Sequence, residues 1–210
     1  MREALAAGLK ELGLVNAASA SDVLEKLLRY AELLQKWNRV YNLTAIRSAN
    51  EVVTHHLLDS AAVVPLFQKR MPQARRVLDV GSGGGLPAVP LALLRPDLQV
   101  EAIDAVGKKV AFINQVAIDL GLKNLCARHS RVEKLSGSYD VIISRAFASL
   151  ADFTSLTAHL LASNGRWFAM KGSVPDNEIS ELTLAEVEDI VPLRVPGLNE
   201  ARHLLILKKM

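Results

Sequence analysis

Apolar residues in the first third of the chain recur every three or four positions, which is the spacing of an amphipathic helix. The first such set ends at Gly13 and consists of Leu5, Leu9 and Leu12. The run from Ser19 to Asp22 is typical of a capping box, and a second set follows it: Leu24, Leu27, Leu28, Ala31 and Leu34. This second set predicts a helix up to about Trp37. Because no strand pattern interrupts residues 1–70, we expect a helical N-terminal extension there.

From Arg75 onward the pattern changes, and short β-branched runs alternate with helical segments rich in Ala and Leu. These runs cover residues 76–80, 98–103, 139–144 and 165–170. Repeated strand–helix alternation is typical of an α/β fold with a parallel sheet covered on both faces. Two later apolar runs, 189–195 and 203–208, are joined by Pro196 to Asn199. That connection suits an antiparallel pair and is too short for a crossover helix, so we predict a mostly parallel sheet with an antiparallel last strand.

The size and composition of the chain narrow its class. The 210 residues are enough for one sizeable core, so we expect a single domain with residues 1–70 as the extension and 71–210 as the core. Half of the residues are apolar, yet no run approaches the roughly 18 uninterrupted apolar residues of a membrane span. The start, Met1 to Ala4, lacks the apolar run of a signal peptide. We therefore expect a soluble cytoplasmic protein with no membrane partner.

The chain contains one cysteine, Cys126. A single cysteine excludes disulfides within the chain and cysteine-based metal clusters, and it fits a reducing compartment. We interpret Cys126, which follows Leu125, as a buried strand residue rather than a nucleophile. No metal is predicted.

The net charge of +3 is too small to identify a nucleic-acid partner by itself. The basic residues are nevertheless bunched: Lys69, Arg70, Arg75 and Arg76; Lys108 and Lys109; Arg128 and Arg131; Lys208 and Lys209. If these groups follow the predicted strands and helices, they lie near a shared rim. The bunching modestly favours an anionic substrate over an ordinary solvated surface.

A glycine-rich loop, Asp79 to Gly85, ends the first predicted strand and begins a helix. A strand that turns into a helix through glycines lets the backbone approach a ligand and leaves the helix amides free to face it. Asp104 ends the next predicted strand, 19 residues after Gly85. A carboxylate at that position can accept hydrogen bonds from ribose hydroxyls, as in dinucleotide and S-adenosylmethionine sites.

The spacing of the glycines favours S-adenosylmethionine over a dinucleotide. A dinucleotide fingerprint needs a third small residue where this chain has Leu86 followed by Pro87. Asp79 also suits a cofactor that carries an ammonium and a sulfonium and has no pyrophosphate to repel the carboxylate, although it is also a common turn residue. The predicted cofactor residues are Asp79, Gly81, Ser82, Gly83, Gly85, Leu86 and Asp104.

Several motifs together resemble the RsmG family, also called GidB. They are residues 77–87, 130–133 and 143–148, preceded by Trp37-Asn38, by 41–46 and by 56–60. The resemblance runs in the right order from about Trp37 to Gly172, which makes it far more specific than the glycine loop alone. Gly84 stands where many members have proline, and His55 stands where many have another basic residue; neither departure touches the assignment.

The resemblance implies a class I (Rossmann-like) S-adenosylmethionine-dependent methyltransferase fold, with a seven-stranded sheet and a helical N-terminal extension. It also implies methylation of guanine N7 at nucleotide 527, in the 530 loop of 16S ribosomal RNA. The implied partner is that RNA, naked or in a small-subunit particle, and no DNA is expected. The implied cofactor-contacting positions are Gly81, Leu86, Val132, Glu133 and Arg145.

The implied chemistry needs no acid or base from the protein. Guanine N7 is an unprotonated acceptor at neutral pH, so it can attack the sulfonium methyl in line without losing a proton, leaving S-adenosylhomocysteine. Alignment of the reactants can then supply roughly 7 to 11 kcal/mol. The chain accordingly lacks the Asn-Pro-Pro-Tyr motif of amine methylation and the Pro-Cys nucleophile of pyrimidine C5 methylation.

Other charged and aromatic residues are candidates for RNA contacts. Arg145 ends an apolar strand, where a charge is seldom core, so we expect it to position the guanine or the cofactor. Phe147 offers a stacking face but is as well suited to core packing. Arg131 and Lys171 follow other strands and are candidate phosphate contacts, with a solvated rim as the alternative.

Two pairs in the extension have helical spacing. His56 and Asp59 face either the cofactor cleft or each other as a helix-packing pair. Trp37 and Tyr41 are expected to anchor the extension on the sheet rather than to stack on bases.

Three other functions stay open at this point. They are a methyltransferase for a small molecule, a regulator that binds S-adenosylmethionine or a nucleotide, and a dehydrogenase. If the substrate is RNA, the target guanine should be looped or splayed, because N7 lies in the deep, narrow groove of an A-form duplex.

Overall fold

The computed structural model describes residues 1–15, 20–145, 147 and 149–210. Helix α1 (Arg2–Glu11) is followed by the long helix α2 (Ala20–Tyr41), which extends one turn beyond the predicted end at Trp37. Ser19 of the expected capping box lies outside the described residues. The extension continues as α3 (Ala49–Glu51), a π-helix (Val52–Leu58), α4 (Asp59–Ala61) and α5 (Val64–Arg70).

Within the described part of the chain the strands form one seven-stranded sheet, in the order β3-β2-β1-β4-β5-β7-β6. The strands are β1 (Arg76–Val80), β2 (Gln99–Asp104), β3 (Leu125–His129), β4 (Tyr139–Ser144), β5 (Leu161–Lys171), β6 (Ala185–Pro192) and β7 (His203–Lys209). The last strand, β7, is antiparallel to both of its neighbours, while the other pairs are parallel. The predicted α/β sheet with an antiparallel last strand is therefore confirmed.

Helices connect the strands on both faces of the sheet. They are α6 (Ala88–Leu94), α7 (Gly107–Asp119), α8 (Leu150–Thr157) and α9 (Asp176–Ser180), with 3-10 turns at Val132–Lys134 and Ala158–Leu160. β1 and β4 have the predicted bounds, whereas β5 and β6 each begin four residues before the predicted start. β6 ends at Pro192, before the predicted end at Val195, so the connection to β7 is longer than Pro196 to Asn199. The Leu193 amide donates to the Arg202 carbonyl across the base of this connection, over 2.7 Å.

The two faces of the sheet have different cores, because side chains alternate along each strand. Val77 of β1 belongs to the larger core, which also contains Leu27 of α2 and Phe67 of α5. Leu78 points to the other face and joins the core that contains Phe153 of α8. The extension therefore packs on the same face as α6 and α7. No helix in the described ranges is long and apolar enough to cross a membrane.

The prediction that Cys126 is buried is wrong. Cys126 lies on β3, as expected for a strand residue, but its side chain is exposed. β3 is an edge strand, and residues 130–138, which lead from it to β4, contain a 3-10 turn and no α-helix to cover it. A sequence pattern does not show which strand lies at the edge.

Candidate functional site

The glycine loop between β1 and α6 is tied to β2. The amides of Gly81 and Ser82 both donate to the Ile103 carbonyl, over 2.9 and 3.1 Å. Gly81 has a φ of +73°, and a Cβ built there would meet nothing within 4 Å. At Gly85, with φ +87°, a Cβ would lie 2.7 Å from a methyl of Val89. Gly85 is therefore required for packing, whereas the open space at Gly81 is available to a ligand.

Asp79 is buried beneath this loop, with 1% of its surface exposed. Its Oδ2 accepts a hydrogen bond from the Ala88 amide at the start of α6, over 3.1 Å. Its Oδ1 is buried and has no hydrogen-bond partner among the described residues. Burial, the main cause, raises the pKa of the Asp79 carboxyl to about 7. One oxygen of Asp79 therefore accepts from the start of α6, and the other is a buried acceptor without a partner among the described residues.

Asp104, at the end of β2, braces the loop from the other side. Its Oδ2 accepts from the Gly83 amide over 3.0 Å and its Oδ1 accepts from the Val106 amide over 2.8 Å. The Lys109 amine lies 3.6 Å from Oδ2. Each carboxylate oxygen can accept a further hydrogen bond, so the bracing role leaves Asp104 free to bind hydroxyl groups as well.

A cleft of about 330 Å³ opens at the carboxyl edge of the sheet, beside the loop. We call it the glycine cleft; the residues lining it include Gly81, Asp104, Arg131, Val132, Glu133 and Phe147. Four of the predicted cofactor residues thus come together here. Of the others, Gly83 is half-buried, and Asp79, Ser82, Gly85 and Leu86 are buried behind the cleft wall.

Arg145, which follows β4, turns towards the π-helix. Its Nη1 donates to the His55 carbonyl oxygen over 2.9 Å and lies 3.3 Å from His56 Nδ1 and 3.4 Å from Asp59 Oδ2. A π-helix is rare and occurs frequently at functional sites. Here it brings a carbonyl, an imidazole and the following carboxylate to one guanidinium.

These residues line a second cleft of about 370 Å³, which we call the basic cleft. The residues lining it include Ile46, His55, His56, Asp59, Arg145, Lys171 and Arg202. The Arg202 Nε lies 3.3 Å from Asp59 Oδ1, so the buried carboxylate stands between two guanidinium groups. Burial raises the pKa of Asp59, and Arg145 and Arg202 oppose that rise. Sequence reasoning missed Arg202, because the only signal is one Arg in the connection before β7.

His56 is a neutral imidazole at this site. Burial, aided by Arg145, lowers its pKa to about 4. Its Nε2 lies 2.7 Å from the Thr44 hydroxyl, on the side of the ring away from Arg145. His56 and Asp59 thus contact Arg145 in the basic cleft, rather than lining the glycine cleft.

The predicted RNA contacts divide between the two clefts. Arg131 and Phe147 line the glycine cleft, where Phe147 also packs on Phe153 with ring centres 5.5 Å apart. Arg145 and Lys171 line the basic cleft, where Lys171 forms an ion pair of 2.9 Å with Glu178. Both clefts thus have a lining residue just after β4, Arg145 in the basic cleft and Phe147 in the glycine cleft.

Trp37 packs against Phe112 of α7 and against Tyr41, each with ring centres 5.4 Å apart. The pair therefore anchors α2 on a helix of the core rather than directly on the sheet. Among the side chains that the structure describes, no group of three or more His, Cys, Asp or Glu is arranged to hold a metal ion.

The fold resembles solved methyltransferases of low sequence identity. The glycopeptide N-methyltransferase MtfA, complexed with S-adenosylmethionine, matches with a TM-score of 0.61 at 11% identity, over 72% of this chain and 95% of that one. TrmN from Thermus thermophilus matches with a TM-score of 0.58 at 16% identity, over 75% of this chain and 53% of that one. At these low identities the matches show a shared fold and nothing about the substrate.

Relatives in sequence are much closer. A protein of Ralstonia nicotianae named ribosomal RNA small subunit methyltransferase G is 53% identical over 98% of this chain and 94% of its own length. A protein of the same name from Neisseria gonorrhoeae is 48% identical over 99% of this chain and 98% of its own. The profile of the GidB family, described as rRNA small subunit methyltransferase G, matches residues 23–205. The chain therefore belongs to the rRNA small subunit methyltransferase G family, as the motifs around the glycine loop indicate.

Proposed function

We propose that this protein transfers the methyl group of S-adenosylmethionine to N7 of a guanine in small-subunit ribosomal RNA, nucleotide 527 of the 530 loop of 16S RNA. The observation that carries the proposal is the position of two clefts at the end of β4. Arg145 lines the basic cleft, and Phe147, two residues later, lines the glycine cleft. A cofactor in one cleft and a base in the other would therefore face each other across this short segment.

The residues that line the glycine cleft, together with Asp79 buried behind its wall, fit the cofactor. The partnerless Oδ1 of Asp79 matches the ammonium of a methionine group, and the open space at Gly81 lets backbone and ligand approach closely. Asp104 retains acceptor capacity for ribose hydroxyls, and Val132 offers an apolar contact to a purine. The cofactor supplies a methyl group on a sulfonium; these side chains bind and orient it, and the fit requires no metal.

The basic cleft fits a neutral base attached to a phosphate backbone. Guanine N7 attacks with its own lone pair and loses no proton, so a general base is unnecessary. His56 is neutral and held by Thr44 and Arg145, which suits a positioning residue. The contacts of Arg145 with other described residues all use Nη1, so Nη2 and Nε can donate to guanine O6 or to a phosphate.

The substrate should be single-stranded or splayed at the target. In an A-form duplex N7 faces a groove that side chains do not enter, and a flipped base needs its own pocket. We therefore propose naked RNA or an assembling small subunit as the substrate in the cytoplasm, and we expect a bare duplex to be methylated poorly.

The test uses purified protein, S-adenosylmethionine with a labelled methyl group, and small-subunit RNA either naked or in subunits. Mass spectrometry of nuclease fragments should find one 7-methylguanosine, and RNA from cells that lack the protein should lack it. If neither form of RNA gains the modification and the profile in those cells is unchanged, the proposal is wrong. Calorimetry with S-adenosylmethionine and NAD separates a methyltransferase from a dehydrogenase. Transfer of the labelled methyl group to a compound in a small-molecule extract would indicate a methyltransferase for a small molecule. Binding of S-adenosylmethionine without any methyl transfer would indicate a regulator.

A further inference from the structure

We propose that the N-terminal extension carries a second RNA subsite, which binds the nucleotide next to the target guanine. The inference rests on the proposed function, since it concerns the same substrate. The subsite is a cleft of about 320 Å³ that we call the α2 cleft, lined by Gln35, Asn38, Arg39, Ile46, Arg47 and Ala49. Its volume lies within the range of small-ligand pockets, roughly 300 to 1,000 Å³.

The α2 cleft continues from the basic cleft. Ile46 lines both of them, so one side chain forms their common wall. When a base enters the basic cleft beside Arg145, the neighbouring nucleotide of the same RNA strand lies at the opening of the α2 cleft. The half-buried Ile46 offers that neighbour an apolar surface, and Gln35 and Asn38 offer polar groups to a base edge or a ribose.

The charges of the α2 cleft suit a phosphate. Arg39 and Arg47 are both exposed. Neither forms an ion pair with any residue in the described ranges, whereas Arg166, for example, is held by Glu188 over 2.8 Å. Uncommitted guanidinium groups beside a nucleotide-sized cleft are the arrangement that binds a phosphate with two parallel hydrogen bonds.

The wall of the α2 cleft is held at a fixed distance from Arg145. Asn38 is 7% exposed, and its Oδ1 accepts the Thr44 amide over 2.9 Å. The Thr44 hydroxyl in turn accepts the Ile46 amide over 3.1 Å and lies 2.7 Å from His56 Nε2. His56 contacts Arg145 on its other side. This chain of polar contacts joins the loop before Arg47 to the Arg145 guanidinium in the basic cleft. It therefore constrains the distance between the two clefts, to which neighbouring nucleotides of one RNA strand would bind.

The test measures binding, so that it does not depend on methyl transfer. The probe is a dye-labelled uridine tract with one central guanine, bound in the presence of S-adenosylhomocysteine. In further probes, one phosphate beside the guanine is replaced by an uncharged methylphosphonate. For the natural protein we expect one of these replacements to weaken binding about tenfold, because the loss of one charge-assisted hydrogen bond changes the affinity by about that factor. For the double variant Arg39→Ala/Arg47→Ala we expect the natural probe to bind about as weakly, and the replacement to have little further effect.

The dependence of binding on salt gives a second readout. The slope of log affinity against log salt should fall by about 0.7 in the double variant, the value for one phosphate of a single strand that the protein no longer neutralises. Arg39→Lys/Arg47→Lys should keep most of the slope, because it keeps both charges. A control is Arg29→Ala, which removes one positive charge ten residues before Arg39 on α2, where Arg29 pairs with Glu32 over 3.2 Å. Calorimetry with S-adenosylmethionine verifies that each variant remains folded.

The outcomes separate this inference from the proposed function. Equal loss of binding in Arg29→Ala, or a methylphosphonate effect that is the same in the natural protein and the double variant, would overturn the subsite. If the natural protein methylates RNA and the double variant does so with an unchanged KM, the subsite is also wrong while the function stands. If the binding pattern is as expected but no RNA is methylated, the function is wrong and the subsite stands.

Discussion

The hydroxyl of Tyr30 donates a hydrogen bond to the carbonyl oxygen of Gly84 over 2.5 Å. Tyr30 is fully buried on α2, so the N-terminal extension reaches the glycine loop from the side opposite the glycine cleft. Leu34, one turn later, lies so close that a Cβ on Gly84 would be 2.9 Å from one of its methyl groups. The extension therefore forms the back of the candidate cofactor site.

Tyr30→Phe should lower both the stability of the protein and its affinity for the cofactor. The Gly84 carbonyl would lose its partner in a buried position, which costs about 1 to 3 kcal/mol of the free energy of unfolding. Because the loop is then less firmly held, we expect the affinity for S-adenosylmethionine to fall about tenfold. Denaturant titration and calorimetry measure the two effects.

The matched control is Tyr139→Phe. Tyr139 is also buried, and its hydroxyl donates to Glu101 Oε2 over 2.7 Å, away from the glycine loop. We expect a similar loss of stability with an unchanged affinity for the cofactor. Equal affinity losses in both variants would show that the effect of Tyr30 is general destabilisation.

Gly81→Ala should separate the role of the glycine loop in ligand binding from backbone strain. Gly81 and Gly121 have φ values of +73° and +66°, and a Cβ at either would meet no atom within 4 Å. Gly121→Ala is therefore the control. Alanine in this left-handed region costs about 1 to 2 kcal/mol, so Gly81→Ala and Gly121→Ala should lose similar stability. Only Gly81→Ala should lose binding of S-adenosylmethionine, by tenfold or more in calorimetry. A Gly81→Ala variant with natural affinity would contradict the placement of the cofactor.

Asp59→Asn should impair methyl transfer without affecting the cofactor. It removes the charge that stands between Arg145 and Arg202, and breaking a buried ion pair costs about 3 to 5 kcal/mol. We expect kcat/KM for RNA to fall about a hundredfold, because both guanidinium groups lose their orientation. Stopped-time assays with labelled S-adenosylmethionine measure the rate.

Asp97→Asn is the control for that change. Asp97 also contacts two arginines, Arg95 at 2.7 Å and Arg75 at 3.4 Å, but it lines neither cleft near β4. Its side chain is 45% exposed, so the loss of stability should be smaller. An unchanged rate in Asp59→Asn, or an equal loss in Asp97→Asn, would rule out a positioning role for Asp59.

The affinity for the cofactor should depend on pH through Asp79. Burial raises the pKa of this carboxyl to about 7, so below that pH the free protein holds a proton. An ammonium beside Oδ1 favours the carboxylate, hence binding releases the proton and affinity falls about tenfold per pH unit below about 7. Above about 8 the affinity falls again, as the α-amino group of the cofactor loses its proton. Calorimetry across this range should give a bell-shaped curve.

Asp79→Asn should flatten the acidic arm of that curve, because no carboxyl remains to titrate there. Asp97→Asn should keep both arms. If the natural protein binds equally well at pH 5 and pH 7, Asp79 does not contact the ammonium.

Local sequence patterns were sufficient for the elements that build the glycine cleft. β1 and β4 have the predicted bounds, since each is a short β-branched run followed by a turn. Gly81 and Asp104 come together as expected, because the carboxyl ends of adjacent parallel strands meet at one edge of the sheet. The weaker predictions concern β5 and β6. Their added residues are held by pairing, Leu161 with Tyr139 of β4 and Ala185 with Lys209 of β7, which the local pattern of either strand does not show.

Long-range contacts decided the rest. His56 and Asp59 have helical spacing in the sequence, but a π-helix and Arg145 determine where they point. Arg202 joins them only because β7 is inserted beside β5. Cys126 is exposed because its strand lies at the edge of the sheet, which no pattern of apolar residues records.

The sequence by itself determined the fold class, the family and the loop that suits a cofactor. These depend on periodicity and on motifs that are local in the chain, where backbone geometry alone dictates the residue types. Only the tertiary structure decided that Tyr30 holds Gly84, that Asp59 stands between two guanidinium groups, and that Ile46 joins two clefts. Such contacts link residues tens of positions apart, and their energies depend on burial and distance, which exist only once the chain is packed.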